Sequence, residues 1–361
     1  MSASSLTAAL APAFSGRSVF LTGDTGFKGS WLALLLHRLG ARVTGFALPP
    51  ESERTLFLQA GVGSKIAHLD GDIRDAGALQ KALVEAAPDY VFHLAAQPLV
   101  RRSYAEPKVT FDTNVGGSTN LLEAVRACPE VRALIFVTSD KCYKNKEWIW
   151  GYRENDELGG RDPYSASKAA AEILFASYAD SFFRERPGFG FASVRAGNVI
   201  GGGDWAEDRI VPDSICALLR GDAITVRNPA STRPWQHVLE PVAAYLTLAS
   251  RLATQPEQFS GAWNIGPHSE SVRTVRELAE AIIGHWGSGR IESPTLAHAP
   301  HEAGLLRLNC DKAHHLLGWQ PRWDFHRTIA ETVAWYRETS AGADASAVTD
   351  RQINEYLHTE P

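Results

Sequence analysis

The sequence predicts a doubly wound α/β protein, in which helices cover both faces of a parallel β-sheet. From residue 18 onward, apolar β-rich runs alternate with stretches of helical periodicity, which is the pattern of right-handed βαβ units. The predicted strands are, in chain order, Ser18–Thr22, Arg42–Ala47, Lys65–Leu69, Tyr90–Ala95, Leu134–Thr138 and Phe191–Ala196. The runs VFLTG, YVFHLAA and LIFVTS are apolar nearly throughout, as strands buried on both faces must be.

The length of the chain and the later loss of this rhythm predict two unequal parts. The 361 residues exceed one ordinary domain of about 150 residues. After residue 200 the alternation gives way to segments such as GGGDWAEDRIVPD, and long loops of this kind typically line a pocket. We expect a larger domain over 16–200, a smaller lobe over 201–340 that is partly interwoven with it, and flexible or peripheral tails at 1–15 and 341–361.

The charge balance excludes partners that need a basic surface. Lys and Arg number 36, Asp and Glu number 41, and the formal net charge is −5. A chain of this sign has no general electrostatic attraction for nucleic acid or for an anionic membrane. Any phosphate-bearing ligand must therefore be held by a few locally placed groups.

The cysteine pattern favours a reducing compartment. Cys128, Cys142, Cys216 and Cys310 are scattered without a CxxC pair, so we expect neither a disulfide framework nor a metal site. The first residues, MSASSLTAALAPAFSGRS, have no basic region ahead of a short apolar stretch and do not predict a signal peptide. No run approaches the roughly 18 apolar residues of a membrane span. These features together predict a cytoplasmic location.

A glycine cluster after the first strand predicts a dinucleotide site. The strand SVFLT is followed by Gly23-Asp-Thr-Gly26-Phe-Lys-Gly29 and then by the helical pattern WLALLLHRLG. Glycines here allow a tight turn, close approach to a pyrophosphate and close helix–strand packing, while the helix N-terminus faces the anion. Such a triplet also fits an ordinary turn, but its place on the first strand of a βαβ unit predicts a Rossmann-type nucleotide-binding fold.

The residues alone leave the choice between NAD and NADP open. The acid that holds the adenosine ribose of NAD is expected about 20 positions after the glycine turn. The corresponding segment, 44–50, reads TGFALPP and contains no acid. Arg54 is the nearby cation that could meet the 2′-phosphate of NADP.

A phenol and an ammonium group are spaced to share one face of a helix. Tyr164 and Lys168 stand at i and i+4 after Pro163, a residue type that favours the first turn of a helix. A neighbouring cation lowers the pKa of a phenol by favouring the phenolate, so Tyr164 could act as a base towards a substrate hydroxyl. The pattern YxxxK is also common on solvated helices, but its position after the fifth strand favours the catalytic interpretation.

The end of the fifth strand adds an acid and a base. The run Thr138-Ser139-Asp140-Lys141 places hydroxyl, carboxyl and amino groups at the carboxyl end of that strand. A simple oxidoreductase needs no such pair, whereas an enzyme that also removes water across two carbons needs both. The alternative is that Asp140 and Lys141 belong to a solvated turn.

Longer strings carry a resemblance to a known family. The stretches TGFKGSWL, AAQPLVRRSY, TSDKCY, EWIWGYREN, DPYSASK, VRAGNVIGGGDWAEDRIVPD, RPWQHVLEP and HEAGLLRLNCDKA resemble the nucleotide-sugar dehydratase branch of the extended short-chain dehydrogenase/reductase family, from about residue 16 to residue 340. In the dTDP-glucose and GDP-mannose dehydratases the residue after the catalytic Asp is Glu, and Lys141 at this position is typical of the CDP-glucose branch. The chain departs from that branch at Asp24, where His is more common, at Ala166 in place of Asn, and at Asn309 in place of Asp.

The resemblance implies an NAD-dependent 4,6-dehydration of CDP-glucose, a step in deoxysugar biosynthesis for surface polysaccharides such as lipopolysaccharide O-antigen. Tyr164, helped by Lys168 and Ser139, takes the proton of the C4 hydroxyl while a hydride passes to NAD. Lys141, kept neutral by burial, then removes the C5 hydrogen, and protonated Asp140 gives its proton to the leaving C6 hydroxyl. The hydride returns at C6, so the cofactor is regenerated in each turnover.

The resemblance also implies which residues bind the ligands. The implied cofactor-binding residues are Gly23, Thr25, Gly26, Phe27, Lys28, Gly29, Asp72, Ile73, Ala95, Ala96, Gln97, Asn114, Thr138, Tyr164 and Lys168. The implied substrate-binding residues, mainly in the 201–340 lobe, are Asn198, Arg209, Arg233 and His301. An Arg beside Pro and Trp can instead pack over an aromatic ring. His237, His301 and Asn309 could equally be ordinary core or loop residues.

Two segments predict a self-association surface. The predicted helices Pro107–Arg126 and Pro163–Phe182 are apolar over more than one stripe. Members of the family pair such helices across a two-fold axis, which implies a homodimer or a tetramer. The alternative is that both helices are simply buried against the sheet.

Three rival functions remain compatible with parts of the sequence. A nucleotide-sugar 4-epimerase or reductase would share Tyr164 and Lys168 but would have no use for Asp140 and Lys141. A dehydratase acting on another nucleotide hexose would use all four residues. A binding or regulatory protein would need none of them, and their presence argues against that function.

Overall fold

A seven-stranded parallel sheet forms the centre of the protein, which a computed structural model describes over residues 6–294 and 305–360. The strands are β1 Ser18–Thr22, β2 Arg42–Ala47, β3 Ala67–Asp70, β4 Tyr90–His93, β5 Ala133–Val137, β6 Gly190–Ala196, β7 Val199–Ile200, β8 Ile224–Thr225, β9 Thr232–Pro234, β10 Gln236–His237, β11 Gly261–Ile265, β12 Val272–Thr274 and β13 Ile291–Glu292. The order in the large sheet is β11-β6-β5-β4-β1-β2-β3, and the other strands form three two-stranded pairs, β7 with β10, β8 with β13 and β9 with β12. The predicted fold class is confirmed.

Helices connect the strands and cover both faces of the sheet. The α-helices are α1 Leu6–Phe14, α2 Phe27–Arg38, α3 Leu56–Gln59, α4 Ala76–Ala86, α5 Val100–Ala105, α6 Pro107–Phe111, α7 Ser118–Arg126, α8 Pro163–Tyr178, α9 Ile210–Arg220, α10 Leu239–Leu252, α11 Pro256–Phe259, α12 Val275–Trp286, α13 Phe325–Ser340 and α14 Ala345–His358. Short 3₁₀ turns lie at Val62–Ser64, Asp140–Cys142 and Ser269–Ser271, and π-helical segments at Asp112–Gly117, Ala179–Phe183 and Ala313–Leu317. In the described residues, no helix is long and apolar enough to span a membrane.

Short polar residues fix where several helices begin. The carboxylate of Asp162 accepts a hydrogen bond from the Ser165 backbone amide at the start of α8, and Pro163 occupies the first turn, where its missing N–H costs nothing. Thr274 and Glu277 form a complete capping box at the start of α12, which satisfies two amides that would otherwise lack partners. Local residues therefore determine where α8, the helix of Tyr164 and Lys168, begins.

The side chains of the sheet alternate between two hydrophobic cores. On β1, Val19 and Leu21 belong to one core, which includes α2, α10 and α13, while Phe20 belongs to the other, with α4, α7 and α8. Because successive side chains of a strand point to opposite faces, a strand buried on both sides is apolar at most positions, as β1, β4 and β5 are. The predicted strands agree with the observed ones to within two residues at each end, including β3, which is largely exposed.

The seventh strand was not predicted. β11 pairs in parallel with β6 at the edge of the sheet, and its sequence GAWNI contains Gly261 and Asn264 among its five residues. Both residue types are depleted in strands, so the segment gave a weak signal. The side chain of Asn264 is fully buried because it takes part in a hydrogen-bond network described below.

The expectation of flexible or peripheral tails is wrong for the described parts of 1–15 and 341–361. Leu10 and Phe14 of α1 are buried in the larger core, and the Phe14 ring lies 4.9 Å from that of Tyr90 on β4. At the other end, the Tyr356 hydroxyl of α14 donates to buried Glu240 at 2.8 Å. α1 has only nine residues, so few apolar positions were available to reveal its buried face. The boundaries at 200 and 340 stay predictions.

Truncating Leu10 tests whether α1 is part of the core. We expect Leu10→Ala to lower the free energy of unfolding by about 2–5 kcal/mol, because the side chain is 1% exposed and its removal leaves a cavity. The matched control is Leu219→Ala on α9, which is 43% exposed and should change stability by about 0.5 kcal/mol or less. Urea unfolding followed by circular dichroism measures both. Equal losses in the two variants would contradict the assignment of α1 to the core.

Candidate active site

The glycine turn after β1 is shaped to admit a pyrophosphate. Gly23 has φ +81°, and a Cβ on Gly29 would lie 2.0 Å from the Gly23 carbonyl oxygen, so no larger residue fits there without displacing the turn. Gly26 is the N-cap of α2 and provides no side-chain cap, which leaves the first amides of the helix directed towards a ligand. A Cβ on Gly23 would also lie 2.7 Å from the Ala95 amide nitrogen, because β1 and β4 end side by side. These features fit a dinucleotide cofactor.

Asp24, the unexpected acid in this turn, is directed away from the ligand side. Its Oδ2 lies 2.6 Å from Nδ1 of His68 on β3, and a Cβ at Gly45 on β2 would lie 2.2 Å from the same oxygen. Burial raises the pKa of Asp24, and the neighbouring imidazole of His68 opposes that shift. The carboxylate therefore lies over the backbone of β2 rather than beside an incoming phosphate.

The residues expected near the adenosine end lie at the ends of β2 and β3. The Asp72 carboxylate is held by Arg74 at 2.8 Å, which lowers the pKa of Asp72. The Ile73 side chain is buried in the core, and its backbone carbonyl accepts a hydrogen bond from the Asn120 side-chain amide. Arg54, the expected cation for a 2′-phosphate, lies over the Trp205 ring at 5.3 Å.

Several cations gather beside the turn despite the net negative charge of the chain. The Lys28 ammonium donates to the Tyr245 hydroxyl at 3.2 Å, and burial, together with the charges of Lys168 and Arg209, lowers the pKa of Lys28 to about 7. Arg209 itself pairs with Asp204 at 2.9 Å. Arg233 is buried and close enough to Asp140 for its charge to favour the ionised carboxylate. These cations lie around the same cleft as the candidate catalytic groups.

Tyr164 and Lys168 are both buried on α8, as predicted, but the electrostatics differ from the expectation. Burial raises the pKa of Tyr164 to about 12, and a hydrogen bond with Ser139 opposes the rise. Burial also lowers the pKa of Lys168 to about 8. The net direction is opposite to the expectation, because Arg209 lowers the pKa of Tyr164 as a neighbouring cation should, but burial outweighs it.

The acid–base pair is partly buried, and its carboxyl group is not in a solvated turn. Asp140 is 3% exposed and accepts from the Ser139 hydroxyl at 3.0 Å, while its Oδ2 is buried without a hydrogen-bond partner among the described residues. Burial raises the pKa of Asp140, and the charges of Lys141 and Arg233 oppose the rise. Lys141 itself is half-buried. Asp140 thus has the surroundings of a carboxyl group that favours its protonated form.

Three side chains expected at the cofactor are instead engaged within the protein. The Thr138 hydroxyl donates to Glu172. The Gln97 amide donates to the Thr110 hydroxyl at 2.9 Å. Asn114, in the π-helical segment, accepts from the Gln97 backbone amide at 2.8 Å and donates to the Ser167 hydroxyl at 2.9 Å. The hydrogen bonds of these residues connect neighbouring segments of the protein. Direct contacts between their side chains and a cofactor stay predictions.

Of the weaker candidates, His237 is a core residue and His301 lies outside the described residues. The His237 ring is fully buried between Trp31 and Trp323, and burial lowers its pKa to about 3, so it is neutral. The Asn309 side chain donates to Asp311 at 2.8 Å. Asn198 is half-buried after β6 and its carbonyl accepts from the Gln236 amide at 3.2 Å.

The sequence interpretation missed a buried ion pair between α8 and β6. Glu172 on α8 and Arg195 on β6 lie 2.7 Å apart, with side-chain exposures of 2% and 4%. Glu172 follows Lys168 by four residues and shares its helix face, a spacing that was available as a signal. No comparable signal in the sequence marked Arg195. This residue lies in a mostly apolar strand, and its partner is remote in sequence.

The glycine turn after the first strand, the tyrosine and lysine on the helix after the fifth strand and the serine near the tyrosine define an enzyme of the extended short-chain dehydrogenase/reductase class. A sequence model of the family described as GDP-mannose 4,6 dehydratase matches residues 20–332. The chain belongs to this family.

Sequence relatives include both dehydratases and an epimerase. The chain is 45% identical over 346 residues to CDP-glucose 4,6-dehydratase of Salmonella typhimurium, covering 95% of this chain and 96% of the relative. It is 31% identical over 273 residues to dTDP-glucose 4,6-dehydratase of Streptomyces antibioticus, covering 75% and 76%. UDP-glucose 4-epimerase of Mycolicibacterium smegmatis is 29% identical, with 89% and 98% covered.

Solved structures share the fold. The dTDP-glucose 4,6-dehydratase DesIV of Streptomyces venezuelae, solved with NAD and TYD, has a TM-score of 0.78 at 24% identity, with 91% of this chain and 99% of that chain covered. A UDP-N-acetylglucosamine 4-epimerase of Methanobrevibacter ruminantium has a TM-score of 0.77 at 24% identity, with 90% and 100% covered. The two structures carry different activities on one architecture, so the activity has to be argued from the site.

Gly29→Ala tests the proposed fit of the glycine turn to a dinucleotide. The added Cβ would collide with the Gly23 carbonyl oxygen, so we expect NAD binding, measured by calorimetry, to weaken by at least about tenfold, equivalent to about 1.4 kcal/mol. The matched control is Gly284→Ala on α12, where a Cβ meets no atom within 4 Å and binding should be unchanged. Wild-type affinity in the Gly29 variant, with native circular dichroism, would contradict the role of the turn.

Proposed function

We propose that the chain is an NAD-dependent CDP-glucose 4,6-dehydratase, which converts CDP-D-glucose to CDP-4-keto-6-deoxy-D-glucose and water. The observation that carries the proposal is the Asp140–Lys141 pair, joined through Ser139 to buried Tyr164. A redox centre and an elimination pair thus share one cleft. The 45% identity to a CDP-glucose 4,6-dehydratase over nearly the whole chain supports the choice of reaction and nucleotide.

The cofactor would lie along the carboxyl ends of β1 to β5. The turn from Gly23 to Gly29 would hold its pyrophosphate, Asp72 and the Ile73 backbone its adenosine end, and Ala95 and Ala96 would line its path. Bound NAD supplies a hydride acceptor for the sugar C4 and a hydride donor for C6. The position of Arg54 over the Trp205 ring engages the cation expected for a 2′-phosphate, which supports NAD over NADP.

In the oxidation half of the reaction, Tyr164 would accept the proton of the C4 hydroxyl. Because burial raises the pKa of Tyr164, the phenol needs neighbouring positive charge to act as the phenolate base. Lys168, one turn further along α8, would supply positive charge for this, and Ser139 would share a hydrogen bond with the reacting oxygen.

In the elimination half, Asp140 would be the acid and Lys141 the base. Burial raises the pKa of Asp140, which keeps a proton available for the departing C6 hydroxyl. Lys141, in its neutral amine form, would remove the C5 hydrogen, which the 4-keto group has made acidic, and would return a proton to C5 when the hydride is delivered to C6. Because the two residues are adjacent in the 3₁₀ turn that follows β5, they can act on the neighbouring carbons C5 and C6 of one sugar.

The substrate diphosphate would be held by Arg233, with Arg209 and Asn198 close to the sugar side. Arg233 is buried near Asp140, where its charge would be only weakly screened. Arg209 influences the pKa values of both Lys28 and Tyr164, which puts its guanidinium at the cleft. His301 remains a candidate outside the described residues.

We also propose that the protein is a homodimer, either alone or as half of a tetramer, in the cytoplasm. Phe111 of α6, Ile173 of α8 and Phe182 of the following π-helical segment are large apolar side chains exposed on the segments predicted to self-associate. Exposed apolar side chains on neighbouring helices favour a protein interface. The four cysteines are free thiols, which supports a reducing compartment.

A panel of nucleotide sugars tests the function. We expect the purified protein to convert CDP-glucose, in preference to dTDP-, UDP- and GDP-glucose, to a product with a 4-keto chromophore in alkali and without net consumption of NADH. A 4-epimerase would instead yield CDP-galactose, and a reductase would consume reduced cofactor. Preference for another nucleotide would retain the dehydratase chemistry and contradict the CDP assignment.

Asp140→Asn tests the elimination acid. The amide cannot deliver a proton, so we expect dehydration of CDP-glucose to slow by about 100-fold or more, while calorimetric NAD binding is unchanged. Because burial raises the pKa of Asp140, wild-type activity should be present below this pKa and decline as the pH rises through it, and the variant should lack that decline. Tyr164→Phe is the companion variant, which should block the earlier oxidation. Near-wild-type turnover of Asp140→Asn would exclude it as the acid.

A further inference from the structure

A buried polar network connects the helix of the proposed catalytic tyrosine to the turn of the proposed elimination pair. Its centre is Glu172, whose Oε2 accepts from Arg195 at 2.7 Å and from the Ser193 hydroxyl at 2.8 Å. The Oε1 of Glu172 accepts from the Thr138 hydroxyl. The carboxylate therefore joins α8 to the ends of both β5 and β6.

Arg195 extends the network to the other side of the same turn. Its Nη1 donates to the Tyr143 hydroxyl at 2.8 Å and to the Glu154 carbonyl at 2.8 Å, and the guanidinium lies 5.0 Å from the centre of the Tyr143 ring. The Tyr143 hydroxyl donates in turn to Asn264 at 2.7 Å, and Asn264 donates to the Asn309 carbonyl at 3.1 Å. The network thus runs from α8 to the segment that begins at 305.

The arrangement brackets the segment from Ser139 to Cys142. Thr138 precedes this segment and Tyr143 follows it, and both are bound to the same ion pair. A buried ion pair contributes little net stability, because desolvation of both charges offsets their attraction. Its geometric consequence is larger, since two hydrogen bonds at the ends of a four-residue turn limit how far Asp140 and Lys141 can move relative to Tyr164.

We propose that Glu172, Arg195 and Tyr143 are positioning residues for the elimination step, which hold the Asp140–Lys141 turn in register with the sugar bound at Tyr164. The inference rests on the proposed dehydratase function. These residues do not touch the reacting atoms, and they act by fixing the distance between the two chemical centres. Misplacement of a reacting group by about 1 Å can slow a step by about 100-fold.

Tyr143→Phe tests the inference with a small change, since it removes the hydroxyl that connects Arg195 to Asn264. In a single turnover with CDP-glucose, we expect the absorbance of the reduced cofactor to appear at the wild-type rate and to decay about 10- to 100-fold more slowly. Exchange of the C5 hydrogen with deuterium from the solvent should slow by the same factor. The NAD affinity, KM and thermal unfolding midpoint of Tyr143→Phe should equal those of the control variant, Tyr152→Phe.

The matched control is Tyr152→Phe. Tyr152 is buried and stacks on Tyr143 at 5.1 Å, but its hydroxyl donates to Asn145 and accepts from the Lys146 amide instead of joining the ion pair. Loss of this hydroxyl should leave C5 exchange and the decay of reduced cofactor unchanged.

Glu172→Gln gives a second, independent measurement. The amide keeps the shape of the side chain but removes its charge, and the Glu172 charge holds the pKa of Lys168 up against burial. We expect slower C5 exchange together with a shift of the Lys168-dependent limb of the pH–rate profile to lower pH. A purely structural loss would lower the amount of folded enzyme without moving the profile.

The outcomes separate the two proposals. If the wild-type protein forms no 4-keto product from CDP-glucose, the proposed function is wrong. If the wild type is active and Tyr143→Phe matches Tyr152→Phe, the function stands and the positioning role is overturned. Equal slowing of the appearance and decay of reduced cofactor in Tyr143→Phe would also overturn it, because the network would then support the whole site.

Discussion

The removal of ionisable groups from water is the constraint on which this cleft depends. Loss of solvent is the largest influence on the pKa values of Asp140, Tyr164, Lys168 and Lys28, and in each case it favours the neutral form. A neutral carboxyl group suits an elimination acid, whereas a protonated phenol must be converted to a base by charges that arrive with the ligands or lie close by. Loss of solvent therefore favours the elimination half of the proposed reaction and opposes the oxidation half.

Local cations explain how a chain of net charge −5 can accept two anionic ligands. Lys28, Lys168, Arg209 and Arg233 surround the cleft, and the carboxylates closest to them are either paired, as Asp204 is with Arg209, or shifted towards the neutral form, as Asp140 is. Poorly solvated charges act over short distances with little screening. The surface can then remain acidic without repelling a diphosphate from the site.

The sequence predicted what depends on local pattern and missed what depends on distant contacts. β1, β4 and β5 were found because strands buried on both faces are mostly apolar. β11 was missed because Gly261 and Asn264 weaken its strand pattern, and the Asn264 side chain instead accepts a hydrogen bond from Tyr143. The Tyr164–Lys168 pair could be predicted from the sequence because both residues lie on one helix. The direction of the Tyr164 pKa shift could not be predicted, since burial depends on the whole fold. Arg195 was missed because its partner, Glu172, lies on a different element.

Asp24 shows how a local change can be tolerated when its neighbours fit it. A carboxylate in a phosphate-binding turn would repel the ligand if it faced the crevice. It lies instead over β2, where Gly45 leaves room for it, and His68 on the adjacent strand supplies a hydrogen-bond partner. Since β2 and β3 are paired with Gly45 opposite His68, the space and the partner come from one register position of the sheet. The turn can therefore keep its glycine geometry and its open helix N-terminus, because the three residues together remove the negative charge from the phosphate side.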